Sequence, residues 1–267
     1  MKFLSYGRNG RIATGLLAAV VMLCSCRQSG LPSPDAARPR RAVLAWGADA
    51  EIGRQIVAFS GIANPRILLF CAPAGDSEAA FAGARAMFAG QSDRIEAVPL
   101  LAAGIALAEL REKVAGADII WVCGGMTEWL AGAWERAALP DALRDAYEHG
   151  TVVAGYSAGA ICWTVAGYND FADGRFDLIA GCGALPILFC PHYQDAVWAG
   201  FDERLEQIEG AGTPAVAWAL TDGAALFFTD GRAEIRFNSP AARACRFERD
   251  GAVWKKREFS PVRPEAE

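Results

Sequence analysis

The chain has 267 residues, enough for one large domain or two small ones. Hydrophobic residues make up 53% and charged residues 21%, which excludes a disordered chain and a coiled coil and allows a core of ordinary size. The net charge of −5 argues against a nucleic-acid-binding protein, which would present a basic face. The basic excess is confined to residues 1–41, so we expect this segment to be separate from the folded body and expect no nucleic-acid partner.

The N-terminal segment is typical of a bacterial export signal. Three basic residues precede an apolar run over 12–23 that is too short to span a bilayer. A Leu-Cys-Ser-Cys sequence follows and resembles a lipobox, in which Cys26 would carry the lipid. We therefore predict a lipoprotein-type signal peptide over residues 1–25, a Pro- and Arg-rich tether over 26–41, and a protein lipid-anchored in the cell envelope. The alternative is a cytoplasmic protein whose true start lies downstream.

The cysteines and histidines do not predict a metal site. The chain has eight cysteines and two histidines, and no two cysteines have the CxxC spacing. Most of the cysteines after residue 42 are flanked by apolar residues. We therefore predict buried thiols that act as small apolar side chains, and a function that needs neither a metal nor a cofactor.

From residue 42 onward, strands and helices are expected to alternate. Continuous apolar runs predict strands, and Ala-rich segments over 77–89 and 105–115 predict helices between them. This alternation predicts a mainly parallel sheet with helices on both faces, in one α/β domain over 42–257 followed by a C-terminal tail over 258–267. Beyond residue 185, short strands separated by Asp-Gly turns predict antiparallel hairpins at the edge of the same domain. The predicted strands cover 42–47, 66–72, 95–100, 118–123, 151–156, 215–220, 224–228, 233–237 and 252–254.

A candidate nucleophile lies where one of these strands ends, the edge at which sites of parallel sheets occur. The sequence Gly-Tyr-Ser-Ala-Gly over 155–159 follows a predicted strand and precedes an apolar run, as in a G-x-S-x-G nucleophile elbow. Ser157 is therefore the candidate nucleophile. The backbone N–H of Ala158, at a helix N-terminus, is a candidate oxyanion donor. The alternative interpretation is a Gly-Ser turn without chemistry.

A serine nucleophile needs a base, and histidine is the usual one. His149 precedes a glycine at the end of a predicted helix, where it complements the helix dipole. His192 follows a buried apolar strand that ends in proline, so we expect it at the same edge as Ser157. The alternative for His192 is a structural histidine in the core.

The carboxylate that orients the imidazole cannot be chosen from position alone. Asp170 lies in a predicted turn between Ser157 and His192. The competing acids lie in other predicted loops, and they are Asp173, Asp177, Asp195 and Asp222.

Several motifs, in the same order, resemble peptidase family S51, whose members include dipeptidase E and cyanophycinase. The resemblance extends from about residue 42 to residue 254. The motifs are APAGDS at 72–77, VCGGMT at 122–127, GYSAGAICW at 155–163, FCPHYQD at 189–195 and ALTDGAAL at 219–226.

The resemblance implies a three-layer, flavodoxin-like sheet, as in class I glutamine amidotransferases. It also implies Ser157 as nucleophile, His192 as base, Asp170 as the third member of the triad, and the N–H groups of Gly125 and Ala158 as the oxyanion hole. The family has asparagine at the position of Met126 and is generally cytosolic, whereas the leader here predicts export.

The expected function is that of a serine hydrolase that cleaves short peptides, with aspartyl dipeptides among its candidate substrates, through a Ser-His-Asp triad and an acyl-enzyme. Aspartyl specificity needs a cation, and Arg204 and Arg175 are candidates that are also explained as surface arginines. If Asp170 is not the third member of the triad, Asp222 is the next candidate. The alternatives are a non-catalytic, membrane-tethered binding domain of the same fold and an esterase that acts on small acyl groups.

Overall fold

The computed structural model describes residues 38–101, 105–208 and 213–261, all within one compact unit that spans residues 37–267. The predicted signal peptide, most of the tether with Cys26, and the end of the C-terminal tail lie outside the described residues. Within the described ranges, no helix has both the length and the apolar character that crossing a bilayer requires.

The first of two sheets has seven strands. Five of them are parallel neighbours, and the other two form an antiparallel hairpin on one edge. The predicted mainly parallel sheet with an edge hairpin is thereby confirmed. In spatial order the strands are β11 (Arg232–Phe237), β10 (Ala224–Thr229), β1 (Arg41–Ala45), β5 (Val152–Tyr156), β4 (Ile119–Val122), β2 (Ile67–Phe70) and β3 (Ile95–Val98).

Helices cover both faces of this sheet, as predicted. Alternate residues of each central strand belong to two separate core clusters, because successive side chains of a strand point to opposite faces. The cluster on one face includes residues of α1 and α2, and the cluster on the other includes residues of α3, α4 and α5. The helices are α1 (Ala50–Ser60), α2 (Glu78–Met87), α3 (Leu107–Ala115), α4 (Thr127–Arg136), α5 (Pro140–Glu148), the short α6 (Ala158–Ile161) and α7 (Phe201–Glu206).

A second sheet of six strands follows the elbow and was not predicted. Its three central strands are parallel and its outer pairs are antiparallel. In spatial order they are β13 (Val253–Phe259), β12 (Ala244–Asp250), β9 (Val216–Leu220), β8 (Leu185–Cys190), β6 (Thr164–Asp170) and β7 (Phe176–Ala180).

Two predictions about this region are wrong. The predicted strand over 215–220 does not form a hairpin with the strand over 224–228, because β9 lies in the second sheet, where it pairs with β8 in parallel and with β12 in antiparallel orientation. The segment that contains Asp170 is strand β6 and not a turn. Asn169 and Asp170 favour turns by residue type, but pairing with β7 holds the segment extended and Asn169 is buried.

Helix α6 packs directly against β4 and β5, and glycine permits this contact. A Cβ atom at Gly159 would lie 2.1 Å from the carbonyl oxygen of Val122, and one at Gly155 would lie 2.0 Å from the carbonyl oxygen of Gly159. A backbone oxygen in a central strand or in a helix packed on that strand cannot move without disrupting the packing, so larger residues are excluded at both positions. The two glycines of the elbow therefore hold the turn at Ser157 against the sheet.

Candidate active site

Ser157 lies alone between a strand and a helix. Strand β5 ends at Tyr156 and helix α6 begins at Ala158, so the strand–turn–helix setting is the one expected for an elbow. Ser157 has φ 54° and ψ −118°, a backbone conformation that residues other than glycine rarely adopt. Such strain persists only where the surroundings impose it, and it is common at functional sites.

His192 contacts Ser157 directly. It lies two residues after β8 and also has a positive φ, 52°. Its Nε2 lies 2.8 Å from Ser157 Oγ. The rings of Tyr156 and Trp198 pack edge-on against the imidazole, with centroids 5.7 and 5.3 Å away. These contacts hold the ring at the orientation in which Nε2 faces Ser157 Oγ.

Asp222 lies on the other side of the imidazole. Its Oδ1 accepts a hydrogen bond from His192 Nδ1 at 2.9 Å. The Gln194 side-chain amide donates to Asp222 Oδ2 and accepts from the Asp222 backbone N–H, both at 2.9 Å. Gln194 thereby fixes the position of Asp222. The result is one chain of hydrogen bonds from Asp222 through His192 to Ser157, with the geometry of a Ser-His-Asp triad.

The structure corrects the assignment of Asp170. Asp170 ends β6 and is exposed on the wall of the cleft beside Ser157, whereas Asp222 makes the hydrogen bond to Nδ1. Strands β6 and β9 are the two parallel neighbours of β8, so both bring an aspartate to the edge that carries His192. Because Nε2 of His192 faces Ser157, Nδ1 faces the β9 side and donates to Asp222, which follows β9. The ALTDGAAL motif over 219–226 includes Asp222, but choosing Asp222 over Asp170 requires knowledge of the strand pairing.

His149 has the structural role that the sequence suggested. It terminates α5, and its Nδ1 lies 2.6 Å from the carbonyl oxygen of Asp145. It borders a cavity of about 690 Å³ at the amino-terminal edge of the first sheet, opposite Ser157.

A cleft of about 570 Å³ opens beside Ser157. Its size is within the range of small-molecule sites, about 300–1,000 Å³. Helix α2 contributes small residues to one wall, and aromatic and acidic side chains form much of the remainder. The lining residues are Ala48, Ala79, Ala80, Gly83, Ala84, Trp121, Cys123, Gly124, Gly125, Tyr156, Ser157, Asp170, His192, Asp195 and Trp198.

Of the two predicted oxyanion donors, Gly125 lines this cleft and Ala158 directly follows the lining residue Ser157. Ala158 is the first residue of α6, so its N–H has no acceptor within the helix. Gly125 lines the cleft with φ 135°, and a Cβ there would lie 2.2 Å from the carbonyl oxygen of Pro73. Met126 follows as the cap of α4, and its N–H donates to Pro73 O at 2.8 Å.

The two candidate arginines do not reach the cleft. Arg204 Nε donates to Asp177 Oδ1 at 2.7 Å, and Arg175 donates to Asp177 Oδ2 at 3.3 Å. The hydrogen bond from Arg204 lowers the pKa of Asp177, so all three groups are charged and mutually paired. Neither arginine lines the cleft. In the part of the chain that the structure describes, no three His, Cys, Asp or Glu side chains cluster as metal ligands.

Comparison with known proteins places the chain in a family. The model of peptidase family S51 matches residues 47–236. The chain belongs to peptidase family S51. A curated relative, the uncharacterized peptidase YgaJ of Bacillus subtilis (strain 168), is 40% identical over 113 residues, which cover 42% of this chain and 47% of YgaJ. The chain therefore matches about half the length of this S51 relative.

Two solved structures share the fold. A putative peptidase E protein from Listeria monocytogenes EGD-e aligns with a TM-score of 0.56 at 13% identity, covering 75% of this S51 chain and all of its own. A peptidase from an acI-B1 actinobacterium aligns with a TM-score of 0.54 at 16% identity, covering 84% of this chain and 98% of its own.

The hydrogen bonds of His192 predict its tautomer. Because Nδ1 donates to Asp222 and Nε2 accepts from Ser157, neutral His192 is expected in the Nδ1–H form. Nitrogen NMR of histidine-labelled protein at alkaline pH measures this directly, and the chain has only two histidines to assign. His149→Gln identifies the His192 signals.

The matched pair Asp222→Asn and Asp170→Asn separates the two acids. We expect Asp222→Asn to change the His192 tautomer, since an asparagine amide can donate to Nδ1, and Asp170→Asn to leave it unchanged. A tautomer change in Asp170→Asn alone would contradict the hydrogen-bond assignment.

Proposed function

We propose that the protein is a serine peptidase that cleaves short peptides through an acyl-enzyme. The hydrogen-bond chain from Asp222 through His192 to Ser157 carries this proposal, because it joins an elbow serine to a base and an orienting acid. Membership in peptidase family S51 and the adjacent cleft support it.

Each residue has a defined role in the proposed reaction. Ser157 Oγ attacks the scissile carbonyl while His192 Nε2 takes its proton, and Asp222 stabilises the resulting imidazolium. The N–H groups of Gly125 and Ala158 donate to the oxyanion. His192 then protonates the leaving amine, and water activated by His192 releases the acyl group and regenerates Ser157.

Ser157→Ala and His192→Ala test these roles. Each variant is expected to lower kcat for dipeptide hydrolysis by several orders of magnitude, because members of a triad act as one unit. The measurement is steady-state hydrolysis, with circular dichroism to confirm folding and His149→Gln as the histidine control. Turnover near the wild-type value in either alanine variant would contradict the assignment.

The charge of the cleft favours basic or neutral peptides over aspartyl peptides. Asp170 and Asp195 are exposed on its walls, and its described lining contains no lysine or arginine. The arginines that could have bound a substrate carboxylate are both paired with Asp177. We therefore propose that the substrate presents an ammonium or a basic side chain to these acids, which attract a cation and repel a carboxylate.

A dipeptide panel tests this preference. We expect kcat/KM for Lys-Ala and Arg-Ala to exceed that for Asp-Ala by about tenfold or more at low salt, since one charge contact near the surface contributes about 1–2 kcal/mol. Asp195→Asn should reduce the ratio of kcat/KM for the basic dipeptides to that for Asp-Ala. Asp93→Asn, which lies outside the cleft, is the matched control and should leave this ratio unchanged. Faster hydrolysis of Asp-Ala would overturn the proposed preference.

We also propose export and lipidation at Cys26, on the basis of the basic leader, the apolar run and the lipobox-like sequence. Expression in a bacterial host should give a membrane-bound protein whose mass carries a lipid, and Cys26→Ala should abolish that mass shift. An intact leader on a protein that stays in the cytoplasm would contradict export.

A further inference from the structure

Two cysteines lie side by side where β2 and β4 end. Phe70 and Val122 are direct partners in the parallel ladder, and the N–H of Cys123 donates to the carbonyl oxygen of Phe70 at 3.1 Å. Cys71 and Cys123 directly follow the two strands, and the partly buried Cys123 packs against the core cluster that contains Cys71. Partner residues of parallel strands project from the same face, so their side chains meet.

The spacing suits a disulfide. Neighbouring strands lie about 4.8 Å apart, inside the range of Cα separations, about 4.4–6.8 Å, that a disulfide tolerates. Both cysteines are free thiols in the structure. Cys123 lines the cleft beside Ser157, whereas Cys71 is buried behind it. A reagent that enters the cleft therefore meets Cys123 first and finds a second thiol adjacent to it.

The two thiols differ in acidity. A hydrogen bond from the Cys71 thiol lowers the pKa of Cys123, even though partial burial opposes ionisation. The same contact, together with burial, raises the pKa of Cys71. The other four described cysteines are buried, and burial raises the pKa of each; they are Cys162, Cys182, Cys190 and Cys245. Cys123 is thus the described thiol best suited to react as a thiolate.

We propose that Cys123 and Cys71 form a peroxide-sensitive dithiol that closes to a disulfide and inhibits the enzyme. The Cys123 thiolate attacks one oxygen of hydrogen peroxide, the O–O bond breaks, and the hydroxide that leaves takes a proton to become water. The Cys71 sulfur then displaces the hydroxyl of the Cys123 sulfenic acid as a second water. Two thiols lose two electrons in total, and one peroxide is reduced to two waters.

The backbone around Cys123 links the pair to the catalytic groups. The position of a Gly125 Cβ lies 2.2 Å from the carbonyl oxygen of Pro73, so the segment after Cys123 is packed tightly against the segment after Cys71. A Gly159 Cβ would lie 2.6 Å from the carbonyl oxygen of Cys123, so the elbow helix rests on the same residue. A shift of Cys123 toward Cys71 therefore displaces both the proposed oxyanion donor Gly125 and the Ser157 turn. The effect on turnover rests on the proposed function, whereas the disulfide does not.

Peptide mapping of the full chain tests the disulfide. Reduced protein is treated with hydrogen peroxide, free thiols are alkylated, and the protein is digested with trypsin without reduction. The cysteines lie in separate tryptic peptides, 67–85 and 114–136, each with no other cysteine. We expect one linked species, two hydrogen atoms lighter than the sum, that dithiothreitol separates. Absence of this species at peroxide levels that oxidise other residues would overturn the proposal.

Turnover measured on the same samples tests inhibition. We expect activity to fall as the fraction of linked peptide rises, by about tenfold or more in fully linked protein, and to return with dithiothreitol. Small displacements of catalytic groups are enough to lower the rate to this extent. Full activity in completely cross-linked protein would overturn the inhibitory role. If the reduced chain hydrolyses no peptide, the proposed function fails, and the linked peptide still reports on the dithiol.

Matched variants test whether oxidation of residues other than Cys71 and Cys123 explains the loss of activity. Each variant is compared with its own reduced form. Cys71→Ala, or Cys71→Ser if the alanine variant does not fold, should give no linked peptide and should stop at an oxygenated Cys123. Cys245→Ala removes a buried thiol outside the cleft and should behave as the wild type. A linked peptide that persists in Cys71→Ala would contradict the pairing.

Discussion

The geometry around Ser157 depends on the contact of α6 with the end of the parallel sheet. Glycine at 155 and 159 lets the helix backbone touch the backbone of β4 and β5, and the chain must reverse direction within the single residue Ser157. The positive φ of Ser157 costs about 1–3 kcal/mol. The packing of the buried strand β5 before it and of the buried helix α6 after it can offset this cost. The strain directs the hydroxyl out of the sheet at a helix N-terminus, where negative charge is favoured.

The second sheet supplies the other two members of the proposed triad. His192 and Asp222 follow its neighbouring parallel strands β8 and β9, so the ladder between these strands sets their separation. Gln194, in the loop that carries His192, hydrogen-bonds to Asp222 in the other loop through both polar atoms of its amide. The hydrogen-bond chain therefore spans two sheets of one compact unit, and a rigid framework holds each member. In the proposed reaction, preorganisation of this kind would let Ser157 act as the nucleophile without rearrangement of the groups around it.

The sequence predicted the local features well and the long-range ones poorly. Ser157 can be proposed from the sequence because its elbow is encoded in five consecutive residues, and His192 can be proposed because it follows an apolar strand in a chain with two histidines. Asp222 could not be selected over Asp170, since both end strands that flank β8 and only the pairing shows which side meets Nδ1. The contact between Cys71 and Cys123 depends in the same way on the register of β2 against β4, which is set by residues far apart in the chain.

The proposed function requires the hydrogen-bond chain through His192 to activate Ser157, and labelling with a fluorophosphonate tests this requirement most directly, because the reagent reacts with activated serines. The protein is treated with the probe, digested and mapped by mass spectrometry, beside the His192→Ala variant and heat-denatured protein. We expect a single label on Ser157 that is absent from both controls. A well-folded protein without label, or with label that persists in His192→Ala, would contradict it, and the first result would favour a binding domain that retains the elbow only as a turn.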